Sequence, residues 1–125
     1  MKKTITLSPL GKTWVLDLDG TIVVHNGYRT TGRDSLLPGA KAFLNAIPGT
    51  DMIVFITSRT QDCASFTERF LKENGIRYDA ILYNAPYGER ILINDKKPSG
   101  LETAIAVNTE RDKFCETVFQ IDGTL

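Results

Sequence analysis

Short apolar runs rich in β-branched residues occur at 14–18, 52–57, 78–83 and 90–94, with a weaker one at 103–107, and they alternate with segments whose apolar residues recur at helical spacing. This alternation restricts the fold more than any other feature. Continuous apolar runs suit strands covered on both faces, and parallel strands need a long crossover between them. Ala40, Phe43, Leu44 and Ile47 mark a helix over 40–47, opened by Pro38-Gly39 and stopped by Pro48-Gly49. Ala64, Phe66, Phe70 and Leu71 mark a second over 61–73, stopped by Asn74-Gly75. The pattern predicts an α/β fold: a Rossmann-like three-layer sandwich with a central parallel sheet and right-handed crossovers.

A chain of 125 residues that is 42% hydrophobic has material for one sizeable core, so a single domain over 1–125 is expected. Fifteen basic residues balance fifteen acidic ones, and with no evident basic stripe this argues against nucleic acid as a partner. No stretch approaches the roughly 20 apolar residues of a membrane span. Residues 1–9 are too short and polar for the apolar segment of a signal peptide. Cys63 and Cys115 lie far apart in no metal-like spacing, which fits reduced thiols in a cytoplasm.

Within the first run, "WVLDLDGTIVV" sets two carboxylates, Asp17 and Asp19, one residue apart in an otherwise buriable stretch. Ligands of open parallel sheets bind beyond the carboxyl ends of the strands, and Asp17 and Asp19 fall where the first strand ends. Gly20 permits a sharp turn there. Carboxylates held so close repel unless a cation or a shared proton relieves them, and Mg²⁺ is the natural partner for such oxygens. Asp-Gly is also a common turn pair, which would explain one aspartate as a cap. The second strand, however, ends "FITSR", bringing Thr57, Ser58 and Arg59, and the fourth ends "ILINDKKPSG", bringing Asp95, Lys96 and Lys97. Turn capping does not explain three strands delivering carboxylates, hydroxyls and cations to one edge.

These motifs resemble the haloacid dehalogenase superfamily. "DLDGT" is similar to its DxDGT signature, "VFITS" to its apolar strand ending in Thr or Ser, and "ILIND" to its apolar strand ending in an acidic pair, in the right order over nearly the whole chain. The resemblance implies a phosphatase in which Asp17 attacks phosphorus to form an aspartyl phosphate and Asp19 serves as acid/base. It further implies that Thr57 hydrogen-bonds the phosphoryl group, and that Asp17, Asp95 and the main-chain carbonyl of Asp19 hold Mg²⁺.

The chain departs from the family pattern in two places. Asn94 replaces the first acid of the terminal pair, and the Lys that neutralises nucleophile and phosphate is missing from its usual place, since no Lys lies between Glu73 and Asp95. Arg90 occupies that interval but begins the strand, about 13 Å of backbone from the catalytic edge at roughly 3.3 Å per residue. Lys97 starts nearer and is favoured, with Lys96 beside it as another candidate. Arg59 is either a substrate anchor or a surface charge paired with Asp62. His25, the only histidine, reads as a substrate contact or a solvated residue.

Neither the interval from Asp19 to Thr57 nor that from Thr57 to Asp95 has room for an inserted cap domain. The site is then closed by the segment 23–37, a loop or small hairpin carrying Tyr28, Arg29 and Arg33, by another subunit of a homo-oligomer, or by a large substrate. Gly20, Ser58, Arg59 and Arg29 are the candidate substrate contacts. Among capless relatives are phosphatases of sugar acid phosphates, of polynucleotide 3′-ends and of proteins. A phosphorylated small molecule, a sugar in the first place, is the expected substrate, with a weak resemblance to phosphatase-like proteins of bacterial surface-polysaccharide synthesis. The alternatives are a phosphatase of a macromolecular substrate, or a binding or regulatory module that keeps the metal site and has lost turnover.

Overall fold

The structure, a computed structural model describing residues 2–125, divides into two compact units. One comprises Gly11–Pro86 and Thr109–Cys115; the other comprises residues 2–10, Tyr87–Asn108 and Glu116–Leu125.

The first unit is built on a three-stranded parallel sheet. With strands numbered along the whole chain, where β1 is Thr4–Leu7, its members are β2 (Thr13–Leu16), β3 (Met52–Ile56) and β4 (Ala80–Leu82), in the order β2-β3-β4. Leu16 pairs with Phe55, and Ile56 with Leu82. The crossover from β2 to β3 carries a single helical turn, α1 (Gly27–Thr30), and then α2 (Ala40–Ala46). The crossover from β3 to β4 carries a 3-10 turn at Gln61–Cys63 running into α3 (Ala64–Glu73). Both longer helices lie where the apolar spacing predicts them, because each turns a stripe inward: Ala40 and Leu44 from α2, Thr67 and Leu71 from α3. Ala40, Leu44 and Leu71 meet Leu18, Ile22, Ile53 and Phe55, the last four all at most 1% exposed, in one core.

Register in this sheet is fixed at its amino end by a buried carboxylate. Asp51 accepts hydrogen bonds from the indole Nε1 of Trp14 at 3.0 Å and from the backbone N of Lys12 at 3.1 Å, while Met52 N donates to Lys12 O at 2.8 Å. A one-residue slip would turn every strand side chain to the other face. Holding Lys12 beside Met52 therefore sets Asp17 and Thr57 at the carboxyl ends of adjacent strands.

The second unit holds a parallel pair, β1 with β5 (Val118–Ile121), in which Thr4 pairs with Val118 and Leu7 with Ile121. This pair has no counterpart in the sequence pattern, because its partners are short and lie at opposite ends of the chain. The strands expected at 90–94 and 103–107 do not form. Their β-branched residues favour extended backbone, but a strand needs a neighbour to complete its ladder, and Ile91 and Ile93 stay 82% and 91% exposed. The fold is thus α/β with parallel pairing in both units.

Candidate functional site

Asp17 is the first residue past β2, and its Oδ2 accepts a hydrogen bond from Thr21 Oγ1 at 3.3 Å. The chain then curls tightly. The Leu18 carbonyl receives the N–H groups of Thr21, Ile22 and Val23 at 2.9–3.1 Å, and Gly20 N donates to Val23 O at 2.7 Å. Gly20 makes this turn at φ 83, in the left-handed region that side chains rarely adopt. The apolar residues that follow, Ile22 and Val23, insert into the core and anchor the turn.

Thr57 is the first residue past β3 and is fully buried. Its backbone joins the end of β4, donating to Leu82 O at 2.9 Å and accepting from Ala85 N at 3.0 Å. Its Oγ1 accepts from Arg59 N at 3.1 Å, which leaves the hydroxyl proton to be donated elsewhere. Ser58, between them, is half-buried.

Arg59 corrects the surface alternative, for it does not pair with Asp62. Its side chain is 1% exposed and grips Asp19 through two bonds, Nε to Oδ2 at 3.0 Å and Nη2 to Oδ1 at 2.9 Å. It grips Asp34 through two more, Nη1 to Oδ2 at 2.9 Å and Nη2 to Oδ1 at 2.6 Å, and Nη1 also donates to Thr67 Oγ1 at 2.9 Å. The ring of Tyr28 lies 4.3 Å from the guanidinium carbon. Burial alone would lower the pKa of Arg59, but the paired Asp34 and Asp19 outweigh it and hold the group charged well above its ordinary value. All five donors are engaged, so Arg59 orients Asp19 and has no donor left for a substrate.

The segment 23–37 is more tightly built than a surface loop. Val23 and Leu37 are core residues, Val23 bridges Leu36, and Asp34 and Tyr28 both contact Arg59. Arg29 is exposed, with Nε donating to Tyr28 Oη at 3.1 Å, and Arg33 is exposed. Asp34 and Thr67 belong to the site yet carry no local signal, since each is recognisable only through the buried guanidinium that it meets.

A C-terminal segment of the same unit packs on the turn. Asp112 N donates to Gly20 O at 2.9 Å, and Asp112 Oδ1 accepts from His25 N at 2.6 Å. Phe114 stacks edge-on to Phe43 at 5.2 Å. Sequence spacing placed nothing from this segment in the site.

Asp95 and Lys97 belong to the other unit. Asp95 is exposed, and its main-chain oxygen accepts from Thr103 Oγ1, which also accepts from Asn94 Nδ2 at 2.9 Å. Lys97 opens a turn, with its N donating to Leu101 O at 2.9 Å. Lys96 and Arg90 are exposed.

Among the described residues no three acidic, histidine or cysteine side chains converge as a metal cage. Around the turn, the hard oxygen donors include the carboxylates of Asp17 and Asp112 and main-chain carbonyls, with both Asp19 carboxylate oxygens already bonded to Arg59. One carboxylate with a carbonyl fits the habit of Mg²⁺, which keeps several waters and completes its shell with substrate phosphate.

No family model matches the chain, and no curated protein matches it. Among solved structures, the chain is similar to a chain in a structure of the Pnkp1/Rnl/Hen1 complex, at 28% identity and a TM-score of 0.52 over 66% of this chain and 31% of that one. A second structure, of the Pnkp1/Rnl/Hen1 RNA repair complex, contains a chain similar at 27% identity and a TM-score of 0.52 over 69% of this chain and 30% of that one. The protein therefore spans under a third of the length of those relatives. Among the described residues no helix is long and apolar enough to cross a membrane.

Proposed function

We propose that the protein is a Mg²⁺-dependent phosphohydrolase of the haloacid dehalogenase type. The observation that carries this reading is the junction of β2 and its turn, where Asp17 and an Arg-oriented Asp19 lead into Gly20, with Thr57 at the end of the next parallel strand. The Asp17 carboxylate attacks phosphorus, the bond to the leaving oxygen breaks, and Asp19 delivers a proton to that oxygen. Asp19 then takes a proton from the water that hydrolyses the aspartyl phosphate. Each Asp19 oxygen keeps a lone pair beyond its bond to Arg59, so a proton can still be carried there. Mg²⁺, held by Asp17 and the Asp19 carbonyl, would neutralise phosphoryl charge. A Rossmann-like three-layer arrangement in a cytoplasmic protein completes the reading.

A phosphorylated sugar is the proposed substrate. A second reading, a terminal phosphate on nucleic acid, is favoured by the likeness to chains of an RNA repair complex. Release of phosphate from p-nitrophenyl phosphate with and without Mg²⁺ tests the activity, and a panel of sugar phosphates beside phosphate-terminated oligonucleotides separates the substrates. No Mg²⁺-dependent release from any of them would leave the binding module as the function.

A further inference from the structure

Resting on the phosphohydrolase reading, a cation must face the phosphoryl group at Asp17, and of the cations named from the motifs, Arg90, Lys96 and Lys97 belong to the other unit. Arg59 is in the sheet-bearing unit, but its donors are spent on Asp19, Asp34 and Thr67. Arg29 is occupied with Tyr28. The chain nevertheless brings another guanidinium to the turn. A Cβ built on Gly20 would meet Cγ of Arg111 at 3.2 Å, closer than any other atom.

We propose that Arg111 is the phosphate-anchoring cation of this site, standing in for the Lys absent upstream of the acidic pair. Its position is imposed by the residues that follow it. Asp112 is tied by its N–H to Gly20 O and by its carboxylate to His25 N, and it holds φ 63, a conformation that costs a non-glycine residue energy. Phe114 is packed against Phe43 and lies next to Gly39. Arg111 stands beside these anchors, exposed, and its guanidinium has no ion pair among the described residues. From Cγ the side chain still has Cδ, Nε and the planar fork with which to reach past Gly20 toward the Asp17 end of the turn. That fork matches the oxygens of a phosphoryl group in a bidentate way that an ammonium does not. The same contact adds to the reason for Gly at position 20: φ 83 strains a side chain, and a Cβ there would press on Arg111.

The test is inorganic phosphate binding by titration calorimetry in Mg²⁺ at low ionic strength, a readout that does not require turnover. Arg111→Ala should weaken binding about tenfold or more, as loss of a charged hydrogen-bonding partner does. Arg111→Lys should fall between, and free guanidinium ion should restore part of the affinity to Arg111→Ala. Lys113→Ala, an exposed cation of the same segment, should bind as wild type. Should the alanine variant fail to fold, Arg111→Gln gives the same comparison. Wild-type affinity in Arg111→Ala, equal losses in Arg111→Ala and Lys113→Ala, loss in Lys97→Ala with none in Arg111→Ala, or no binding by the wild type would each overturn the assignment. Phosphate binding that depends on Arg111 in a protein with no phosphatase turnover would uphold it and refute the hydrolase reading instead.

Discussion

Arg59 and Asp19 form a closed fork, Nε to Oδ2 at 3.0 Å and Nη2 to Oδ1 at 2.9 Å, with a guanidinium that Asp34 clasps from its other edge. The turn after β2, the end of β3 and the segment between α1 and α2 are thereby joined through one buried charge.

Removing one partner of a buried, hydrogen-bonded pair leaves the other uncompensated, which typically costs about 3–5 kcal/mol. Asp34→Ala is expected to lose about 3 kcal/mol, near the lower end because Asp19 still offsets the charge. Arg59→Ala should lose more, since it abandons two carboxylates of which Asp34 is 3% exposed. Urea unfolding measures both, and a loss below about 1 kcal/mol in either would mean that the network adds little to stability.

The ring of Tyr28, 4.3 Å from the Arg59 guanidinium and 5.5 Å from the ring of Phe66, covers the same charge. Tyr28→Ala is expected to cost about 1–2 kcal/mol, whereas Tyr28→Phe, which keeps the π-face, should be within about 0.5 kcal/mol of wild type. Thermal unfolding of the pair distinguishes ring from hydroxyl, and equal losses would show that the ring contact is not what matters.

How much of this was legible in the sequence follows from the range over which each signal acts. Helical spacing in 40–47 and 61–73 is a local property that tertiary packing reinforces, so α2 and α3 stand where the pattern puts them. The carboxylates after β2 and the hydroxyls after β3 were equally legible, being local motifs at strand ends. Strand pairing is not local. Residues 90–94 have the composition of a strand and no partner, while Thr4–Leu7 finds one in Val118–Ile121 across almost the whole chain. The network around Arg59 escaped for the same reason. Asp34 looks like any loop acid until the guanidinium that it meets, 25 residues on, is known to be buried. Arg111 is more distant still, and only the space left by Gly20 reveals it.

Asp51 makes stability depend on acid pH with a definite sign. Burial raises its pKa, but the hydrogen bonds from Trp14 and Lys12 and the charges of Lys12 and Arg77 outweigh this and hold it below the usual carboxylate range. A folded pKa below the unfolded one adds stability that is complete above about pH 4 and lost as pH falls through the folded value. Asp51→Asn should therefore cost about 1–2 kcal/mol at pH 7 and flatten the acid limb of the stability curve. Trp14 fluorescence during urea titration at pH 3 and pH 7 follows the transition, and an unchanged difference between wild type and variant at the two pH values would remove Asp51 as the cause.

The two aspartates of the turn should fail in different ways. On the proposed mechanism, Asp17→Asn removes the attacking oxygen's charge and a metal ligand together, so no phosphoenzyme should form with any substrate. Asp19→Asn leaves the nucleophile and the main-chain carbonyl in place and removes the protonatable group, so the rate should drop by roughly 10²–10⁴. Asparagine at 19 also weakens the Arg59 fork, because an amide offers one acceptor oxygen where the carboxylate offered two. Arg59→Lys separates these effects: it keeps the positive charge and the Asp19 proton carrier but cannot hold both oxygens. A substrate whose leaving group needs no proton should partly rescue formation of the phosphoenzyme in Asp19→Asn and let it accumulate, since water activation remains slow. It should do the same for Arg59→Lys, if Arg59 acts by aiming Asp19. Rapid-quench trapping with labelled substrate reads all three variants, and label retained by Asp17→Asn at wild-type levels would move the nucleophile elsewhere.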